Sequence, residues 1–230
     1  MLQNNTEANG DQTVAITGAN RGIGLALCQQ YINRGFEVIA ICRTTSPELS
    51  ALKIEIIQNV DVSNSNDLSH LVSSINNRKI DILINNAGIL TSQPFGNFNY
   101  EAMLEQFQVN TLGPLRITEA LHGSLKRGSK VAMITSRMGS IADNSSGGAY
   151  GYRMSKCALN SACKSLAIDL KPQGITIAIL HPGWVETDMT NQSGEITTEI
   201  SAERLTQRIE ELTMDNSGTF WHSNGEVLPW

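Results

Sequence analysis

A tyrosine and a lysine four residues apart are the side chains of this chain best suited to proton transfer. In a helix, Tyr152 and Lys156 would share one face, one turn apart. A nearby ammonium group favours the ionised phenol, which lowers the pKa of the tyrosine and makes it a usable acid or base. Ordinary helices also contain this spacing, so the elements that position the pair must decide between the two interpretations.

The composition predicts one folded domain with no affinity for nucleic acid. The chain has 230 residues, of which 40% are hydrophobic and 17% charged, and its net charge of -5 provides no basic face for phosphate backbones. Residues 1–12 are polar and are expected to form a flexible tail on a single domain of residues 13–230. No run approaches the roughly 18 apolar residues of a membrane span, and we expect a cytoplasmic protein.

The four cysteines and four histidines lack the spacings that metal sites require. The sequence therefore predicts free thiols and no metal.

Short runs rich in Val and Ile alternate with helical segments along the chain. Such strands are typical of a parallel sheet that is buried on both faces. We predict an α/β fold, a single-domain Rossmann-type doubly wound parallel sheet of about seven strands with helices on both faces. The predicted strands are residues 13–17, 37–42, 54–59, 81–84, 131–135, 174–180 and one within 218–230.

The predicted helices have recognisable boundaries. The first ends near Arg34, and another begins at a Ser63 or Asn64 cap. A long helix over residues 100–122 should be kinked at Gly113-Pro114, because proline removes a backbone donor. The helix with the tyrosine and lysine ends near residue 170, and the last helix covers residues 202–212.

A glycine-rich turn follows the first strand. Gly18, Gly22 and Gly24 would let backbone approach a pyrophosphate, and the helix beyond them directs N–H groups and its positive dipole end toward that anion. The alternative is a tight strand-to-helix turn without a ligand.

The end of the second strand indicates which dinucleotide would bind. An acidic residue there binds the ribose hydroxyl of NAD, but this strand ends in Arg43 and no carboxylate follows. Arg21, inside the glycine turn, could bring a second guanidinium to the same 2′-phosphate. We infer NADP(H) and regard NAD(H) as the weaker candidate; the alternative is that Arg43 only reaches solvent.

Polar residues follow several other strands. Asp61 could accept a hydrogen bond from an adenine amino group, while Asn85 and Ala87 could line the cofactor trough. Ser136 ends the fifth strand, so its hydroxyl should lie at the same sheet edge as Tyr152. There it could hold a carbonyl while the tyrosine protonates the developing alkoxide.

The ordered set of motifs resembles the short-chain dehydrogenase/reductase family. It comprises Thr17-Gly18-x-x-x-Gly22-Ile23-Gly24, Asp61-Val62, Asn85-Asn86-Ala87-Gly88, Asn110, Ser136, Tyr152-x-x-x-Lys156 and Pro182-Gly183-x-x-x-Thr187. The segments around Ser136 and Tyr152 and the ending at residues 224–230 are similar to the C-factor and Sniffer-like, carbonyl-reductase-like branch.

The resemblance implies a catalytic tetrad. Tyr152 would be the acid in reduction and the base in oxidation, and Lys156 would bind the nicotinamide ribose and lower the tyrosine pKa. Ser136 would position the carbonyl, and Asn110 would help to order a water for proton relay. The implied cofactor contacts are Gly18, Asn20, Arg21, Gly22, Ile23, Gly24, Arg43, Asp61, Val62, Asn85, Ala87, Gly88, Tyr152, Lys156, Pro182, Gly183, Val185 and Thr187.

One spacing departs from the family pattern. Ser136 lies sixteen residues before Tyr152, whereas Ser140 lies twelve before it. We favour Ser136 because it follows the strand directly, and Ser140 stays as the alternative.

The expected function is NADP(H)-dependent reduction of a small carbonyl, or oxidation of the alcohol, by a homodimer or homotetramer. The alternatives are a C-factor-type regulatory protein that binds a dinucleotide with little turnover, and an NAD-linked alcohol dehydrogenase.

Overall fold

The computed structural model describes residues 12–230, which form one seven-stranded parallel sheet of order β3-β2-β1-β4-β5-β6-β7. Residues 1–11 of the expected tail lie outside the described part. The strands are β1 Thr13–Thr17, β2 Glu37–Ile41, β3 Glu55–Ile57, β4 Ile80–Asn85, β5 Leu125–Ile134, β6 Thr176–His181 and β7 Phe220–His222. The predicted Rossmann-type fold is confirmed.

Within residues 12–230, seven α-helices cover the two faces of this sheet. They are α1 Gly22–Asn33, α2 Pro47–Ala51, α3 Asp67–Ile75, α4 Tyr100–Phe107, α5 Gly113–Ala120, α6 Tyr150–Asp169 and α7 Thr198–Glu210. Along β1, Ala15 packs into the core beneath α3, α5 and α6, whereas Val14 and Ile16 pack into the core beneath α1 and α7. Alternate side chains of a strand point to opposite faces, so each strand contributes to both cores.

The order of the strands creates a crevice between β1 and β4. The chain moves outward from β1 to β2 and β3, then crosses to β4 on the other side of β1. Ligands of open α/β sheets bind at such a switch point, outside the carboxyl ends of the strands. No helix of residues 12–230 is long and apolar enough to cross a membrane.

Three helices differ from the predictions. The short helix α2 was not expected. It begins at Pro47 and is capped by Ser46, whose side chain accepts a hydrogen bond from the Leu49 N–H. Helix α3 begins at Asp67 rather than at a Ser63 or Asn64 cap, because those residues belong to the turn that follows β3. Helix α7 begins earlier than predicted, behind a Thr197 cap.

The long helix is interrupted before the predicted kink. A π turn, Gln108–Leu112, separates α4 from α5, and Pro114 lies in the first turn of α5, where no backbone donor is needed. Gly113 packs against the loop that follows β3, since a Cβ on Gly113 would lie 2.8 Å from a methyl carbon of Val62. The interruption is therefore a π turn, and Asn110 lies at its centre.

Two histidines lie side by side at the ends of β6 and β7. The rings of His181 and His222 meet edge to face, with their centroids 4.7 Å apart. Burial, followed by the positive charges of His222 and Arg137, lowers the pKa of His181 to about 3. His181 is thus neutral in the folded protein, although it would take up a proton near pH 6.5 when unfolded.

This difference predicts a loss of stability in mild acid. Because the folded pKa is depressed, the unfolded state binds more protons below pH 6.5, and stability falls by up to about 1.4 kcal/mol per pH unit until the pH nears the folded pKa. Replacing His181→Phe removes this dependence. Urea unfolding at pH 6.5 and 4.5 should show that the wild type loses about 2 kcal/mol more than the variant.

His70 on α3 provides the matched control, because it is exposed. His70→Phe is expected to follow the wild-type dependence on pH. Equal acid sensitivity of His181→Phe and the wild type would contradict the assignment.

Candidate active site

A threonine and an asparagine join the ends of β1 and β4. The Thr17 hydroxyl accepts hydrogen bonds from the N–H groups of Asn86 and Ala87, at 3.0 and 3.1 Å. The Asn86 side chain donates to the carbonyl oxygens of Thr17 and Gly18, at 3.1 and 3.2 Å. These bonds fix the floor of the crevice, and Asn86, which the sequence analysis placed only within a motif, is one of its main supports.

The glycine turn has no room for side chains at two positions. Gly18 has a φ of +65°, and a Cβ on it would lie 2.9 Å from the Cα of Ala87. A Cβ on Gly24 would lie 2.2 Å from the carbonyl oxygen of Gly18. Arg21 precedes α1 without a side-chain cap, so the first N–H groups of the helix stay available for an anion.

The other residues of the glycine turn have different surroundings. Asn20 is partly buried, Ile23 packs against the core beneath α1, and Gly22 faces the Thr187 methyl group, 3.6 Å from the position of a Cβ.

The two arginines expected at a 2′-phosphate each pair with a carboxylate. The Arg21 Nη1 lies 2.8 Å from the Asp188 Oδ2, and the Arg43 Nη1 lies 3.7 Å from the Asp61 Oδ2. Both arginine side chains are about 70% exposed, at 71% and 70%. Exposed pairs of this kind contribute little stability, so either guanidinium can change partners at low cost.

Asp61 is held by the turn that follows it. Its Oδ1 accepts hydrogen bonds from the Ser63 N–H and hydroxyl, at 2.9 and 2.6 Å. Burial acts to raise the Asp61 pKa, but the Ser63 bonds and the Arg43 charge outweigh it and lower the pKa. The carboxylate is therefore ionised. The neighbouring Val62 is buried against Gly113.

The Asn85 side chain points away from the crevice. Its Nδ2 donates to the Thr118 hydroxyl of α5 at 3.1 Å, and the side chain is buried. Any contact of Asn85 with a ligand must therefore come from its main chain. Gly88, by contrast, faces the centre of the site: a Cβ on it would lie 3.2 Å from the Asn110 Oδ1 and 3.6 Å from the Lys156 Nζ.

Tyr152 and Ser136 meet as expected. Tyr152 is buried in α6, and Ser136, which follows β5, lies close to its phenol. Burial raises the pKa of Tyr152 to about 12, and the neighbouring Ser136 hydroxyl offsets only part of this rise. The protein groups alone thus shift the pKa upward, opposite to the lowering that the sequence analysis expected, because burial of the phenol outweighs its polar contacts.

Lys156 is buried beneath the tyrosine. Its Nζ donates to the Ile134 carbonyl at 2.9 Å and lies 5.8 Å from the centroid of the Tyr152 ring. Burial lowers the pKa of Lys156 to about 8, so most of the ammonium groups remain charged at pH 7.

Asn110 joins the site through its side chain. The amide donates to the Ile89 carbonyl at 2.8 Å and to the Ser155 hydroxyl at 3.0 Å, and its Oδ1 accepts from the Ile89 N–H at 2.8 Å. With these contacts the amide ties the segment after β4 to α6. Ser155 was missed by the sequence analysis, although its position three residues after Tyr152 on the same helix could have indicated it.

Ser140 faces elsewhere. Its hydroxyl donates to the Trp230 carbonyl at 3.1 Å and accepts from the Asp143 N–H at 3.0 Å. The extra length before α6 forms a loop that Arg153 holds through the Ser146 hydroxyl and the Gly147 carbonyl, at 2.8 and 3.2 Å.

The loop after β6 completes the edge. The Pro182 carbonyl accepts from the hydroxyls of Ser201 and Ser223, at 2.9 and 3.0 Å, and Gly183 has a φ of +99°. Val185 pairs with Ile196 across the loop. Thr187, whose N–H donates to the Thr190 hydroxyl at 3.1 Å, brings this segment over Gly22.

Within residues 12–230, no group of three or more His, Cys, Asp or Glu side chains could hold a metal.

The chain matches two relatives over most of the length of each relative. The chain is 38% identical over 224 residues to the 1-hydroxy-2-glutathionyl-2-methyl-3-butene dehydrogenase of Rhodococcus sp. (strain AD45), which covers 95% of this chain and 99% of that protein. It is 44% identical over 154 residues to the C-signal of Myxococcus xanthus, which covers 66% of this chain and 93% of that protein.

Solved structures superpose over almost the whole chain. The carbonyl reductase Sniffer of D. melanogaster has a TM-score of 0.88 at 30% identity and covers 96% of this chain and 99% of its own. The NADPH-bound carbonyl reductase from chicken fatty liver has a TM-score of 0.87 at 28% identity and covers 95% and 99%. The resemblance to the C-factor and Sniffer-like branch is confirmed.

The family profile described as short chain dehydrogenase matches residues 12–198, which include the glycine turn, Ser136, Tyr152 and Lys156. The chain belongs to the short-chain dehydrogenase/reductase family of oxidoreductases.

Proposed function

We propose that the protein is an NADP(H)-dependent oxidoreductase that transfers a hydride between nicotinamide C4 and a small carbonyl or alcohol, with Tyr152 as general acid and base. The observation that carries this proposal is the buried phenol of Tyr152, which lies close to Ser136 and beside the Lys156 ammonium. These groups lie at the same sheet edge as the glycine turn. Among its structural neighbours is an NADPH-bound carbonyl reductase.

The residues at this edge fit a phosphorylated dinucleotide. The crevice has a side-chain-free floor at Gly18 and Gly24 and uncapped N–H groups at the start of α1. Arg43 follows β2 by two residues, where a 2′-phosphate would lie, and its guanidinium is exposed. We assign cofactor contacts to Gly18, Asn20, Arg21, Gly22, Ile23, Gly24, Arg43, Asp61, Val62, Ala87, Gly88, Pro182, Gly183, Val185, Thr187 and the main chain of Asn85. The cofactor supplies the hydride.

The proton chemistry follows from the protein groups. With a pKa of about 12, Tyr152 keeps its proton throughout the neutral range. An alkoxide is more basic than a phenolate, so the phenol can protonate the oxygen of a reduced carbonyl. Ser136 would hold that oxygen, and the Lys156 charge would stabilise the phenolate that remains. A protonated phenol suits reduction at neutral pH, whereas oxidation requires the phenolate and should be favoured by alkaline pH.

Asn110 acts in this proposal as a positioning residue. Its side-chain amide is occupied by Ile89 and Ser155, so we assign it the task of holding α6 against the segment after β4. A water molecule in a proton relay would therefore have to form its hydrogen bond with the main chain of Asn110.

A carbonyl panel with NADPH consumption as readout tests the proposed function. The wild type should oxidise NADPH with at least one carbonyl, and Tyr152→Phe should lower kcat by about 100-fold or more, because general acid catalysis contributes that much. Tyr150→Phe is the matched control, since Tyr150 lies on the same helix, packs against Phe98 and is 37% exposed. Protein that binds no NADPH and consumes none would refute the proposal.

The cofactor preference is tested at Arg43. Arg43→Ala should raise the KM for NADPH by about tenfold, because a charge-assisted contact to phosphate is lost, and should leave the KM for NADH within about twofold. The NADH value is the internal control. A wild type that prefers NADH would instead support the NAD-linked alcohol dehydrogenase.

A regulatory protein with little turnover is the second candidate, favoured by the 44% identity to C-signal. This candidate requires NADPH binding together with a turnover that Tyr152→Phe does not change.

We also propose self-association through α4. Tyr100, Leu104 and Phe107 lie at helical spacing on one face and are 69%, 65% and 37% exposed. On α6, Met154 is also exposed, whereas Leu159 and, directly after the helix, Leu170 are buried in the core. A cytoplasmic location stays a prediction from the sequence.

The charge substitution Leu104→Glu should therefore convert a homodimer or homotetramer into smaller species in light scattering, because it places a charge in an apolar contact. Val72→Glu is the control, since Val72 is an exposed apolar residue of α3. A wild type that is already monomeric would contradict this proposal.

A further inference from the structure

The loop after β5 carries Ser136 and is fastened at several points. We call residues 136–143 the serine loop. The Ser136 Oγ accepts a hydrogen bond from the Met138 N–H at 3.1 Å, which begins a 3-10 turn. A Cβ on Gly139 would lie 2.8 Å from the carbonyl carbon of Lys156, so the turn lies directly on α6. The orientation of the Ser136 hydroxyl therefore depends on how this loop is held.

Arg137 holds the serine loop from its outer side. Its Nε lies 2.9 Å from the Asp143 Oδ2, and its Nη2 donates to the Glu226 Oε2 at 2.9 Å. The first contact closes the serine loop on itself. The second contact joins the loop to a segment 89 residues further along the chain. A planar guanidinium that binds two carboxylates fixes its own orientation, and with it the backbone next to Ser136.

The segment that carries Glu226 is itself firmly placed. The His222 N–H donates to the Glu226 carbonyl at 2.8 Å, and the Leu228 N–H donates to the Phe220 carbonyl at 2.8 Å, so the segment folds back on β7. Trp230 stacks on Phe220 with their ring centroids 5.5 Å apart. Its carbonyl also accepts from the Ala142 N–H of the serine loop at 2.9 Å. The backbone that carries Glu226 is thus held against β7 and the serine loop.

We propose that Arg137 is a positioning residue for the reaction: by binding Glu226 and Asp143, it sets the serine loop so that the Ser136 hydroxyl faces Tyr152. This assignment rests on the proposed function. Arg137 and its two partners are 40%, 36% and 52% exposed. Ion pairs this exposed contribute little to stability, whereas a small displacement of a catalytic group costs much in rate. The effect of Arg137 should therefore appear in kcat rather than in the melting temperature.

A double-mutant cycle with Ser136 tests this assignment. Arg137→Ala should lower kcat by about tenfold, because Ser136 loses its fixed orientation, and should leave the KM for NADPH within about twofold. In a Ser136→Ala background, Arg137→Ala should change kcat by less than about twofold, since there is no hydroxyl left to orient. Arg137→Lys should recover only part of the lost kcat, because lysine keeps the charge but cannot bridge both carboxylates.

Two further variants serve as controls for folding. Arg78 also pairs with two carboxylates, Glu55 and Glu37, but at the β2–β3 edge of the sheet. Arg78→Ala should lower the melting temperature at least as much as Arg137→Ala, because Arg78 also donates to the Ile75 and Ser74 carbonyls, while its kcat stays at the wild-type value. Glu226→Gln leaves Arg137 in place and should lower kcat in the same direction, so it decides the question should Arg137→Ala fail to fold.

The outcomes separate this assignment from the proposed function. An active wild type with unchanged kcat in Arg137→Ala, or in Glu226→Gln where Arg137→Ala does not fold, would overturn the assignment alone. An equal loss of kcat in the wild-type and Ser136→Ala backgrounds would overturn it as well, because Arg137 would then act independently of Ser136. A wild type without turnover would overturn the proposed function and this assignment together.

Discussion

The contact between α6 and the end of β5 is the interaction on which the site depends. Lys156 is buried at this contact, and a buried ammonium is costly unless it is hydrogen-bonded. The Ile134 carbonyl accepts a hydrogen bond from the Lys156 Nζ at 2.9 Å, and the Thr135 hydroxyl donates to the Asn160 Oδ1, one turn further along α6, at 2.7 Å. A small shift of α6 would break both contacts. The position of Tyr152 follows from this constraint, since it lies one turn before Lys156 on the same helix.

The same helix is fixed from its other side by the centre of the π turn. Asn110 binds Ser155 of α6 and Ile89 of the segment after β4, so the π turn, one strand end and one helix meet through this side chain. None of these residues needs to touch a substrate to influence the chemistry. A site that depends on backbone positions supplied by β1, β4, β5 and α6 requires the whole sheet to form first.

The sequence predicted the strands well, because buried parallel strands are nearly continuous runs of Val and Ile. It also placed Ser136 at the end of β5 and Tyr152 and Lys156 on the helix that follows, and these residues lie at one edge of the sheet. It did not indicate the direction of the Asn85 side chain or the pairing of Arg21 with Asp188, 167 residues away, because local pattern carries no information on such contacts. The sign of the Tyr152 pKa shift was wrong for a related reason: a spacing of four shows the lysine, but burial emerges only from packing.

The π turn makes this region sensitive to length as well as to side-chain chemistry. Its five residues, Gln108–Leu112, place one more residue in the helix than regular α-geometry allows. The wider turn absorbs this residue locally, and the Asn110 side chain reaches Ser155 and Ile89 from its centre. Removing one residue would restore the regular repeat, and this wider turn would be lost. Across related chains, this segment should therefore keep both its length and the amide at position 110.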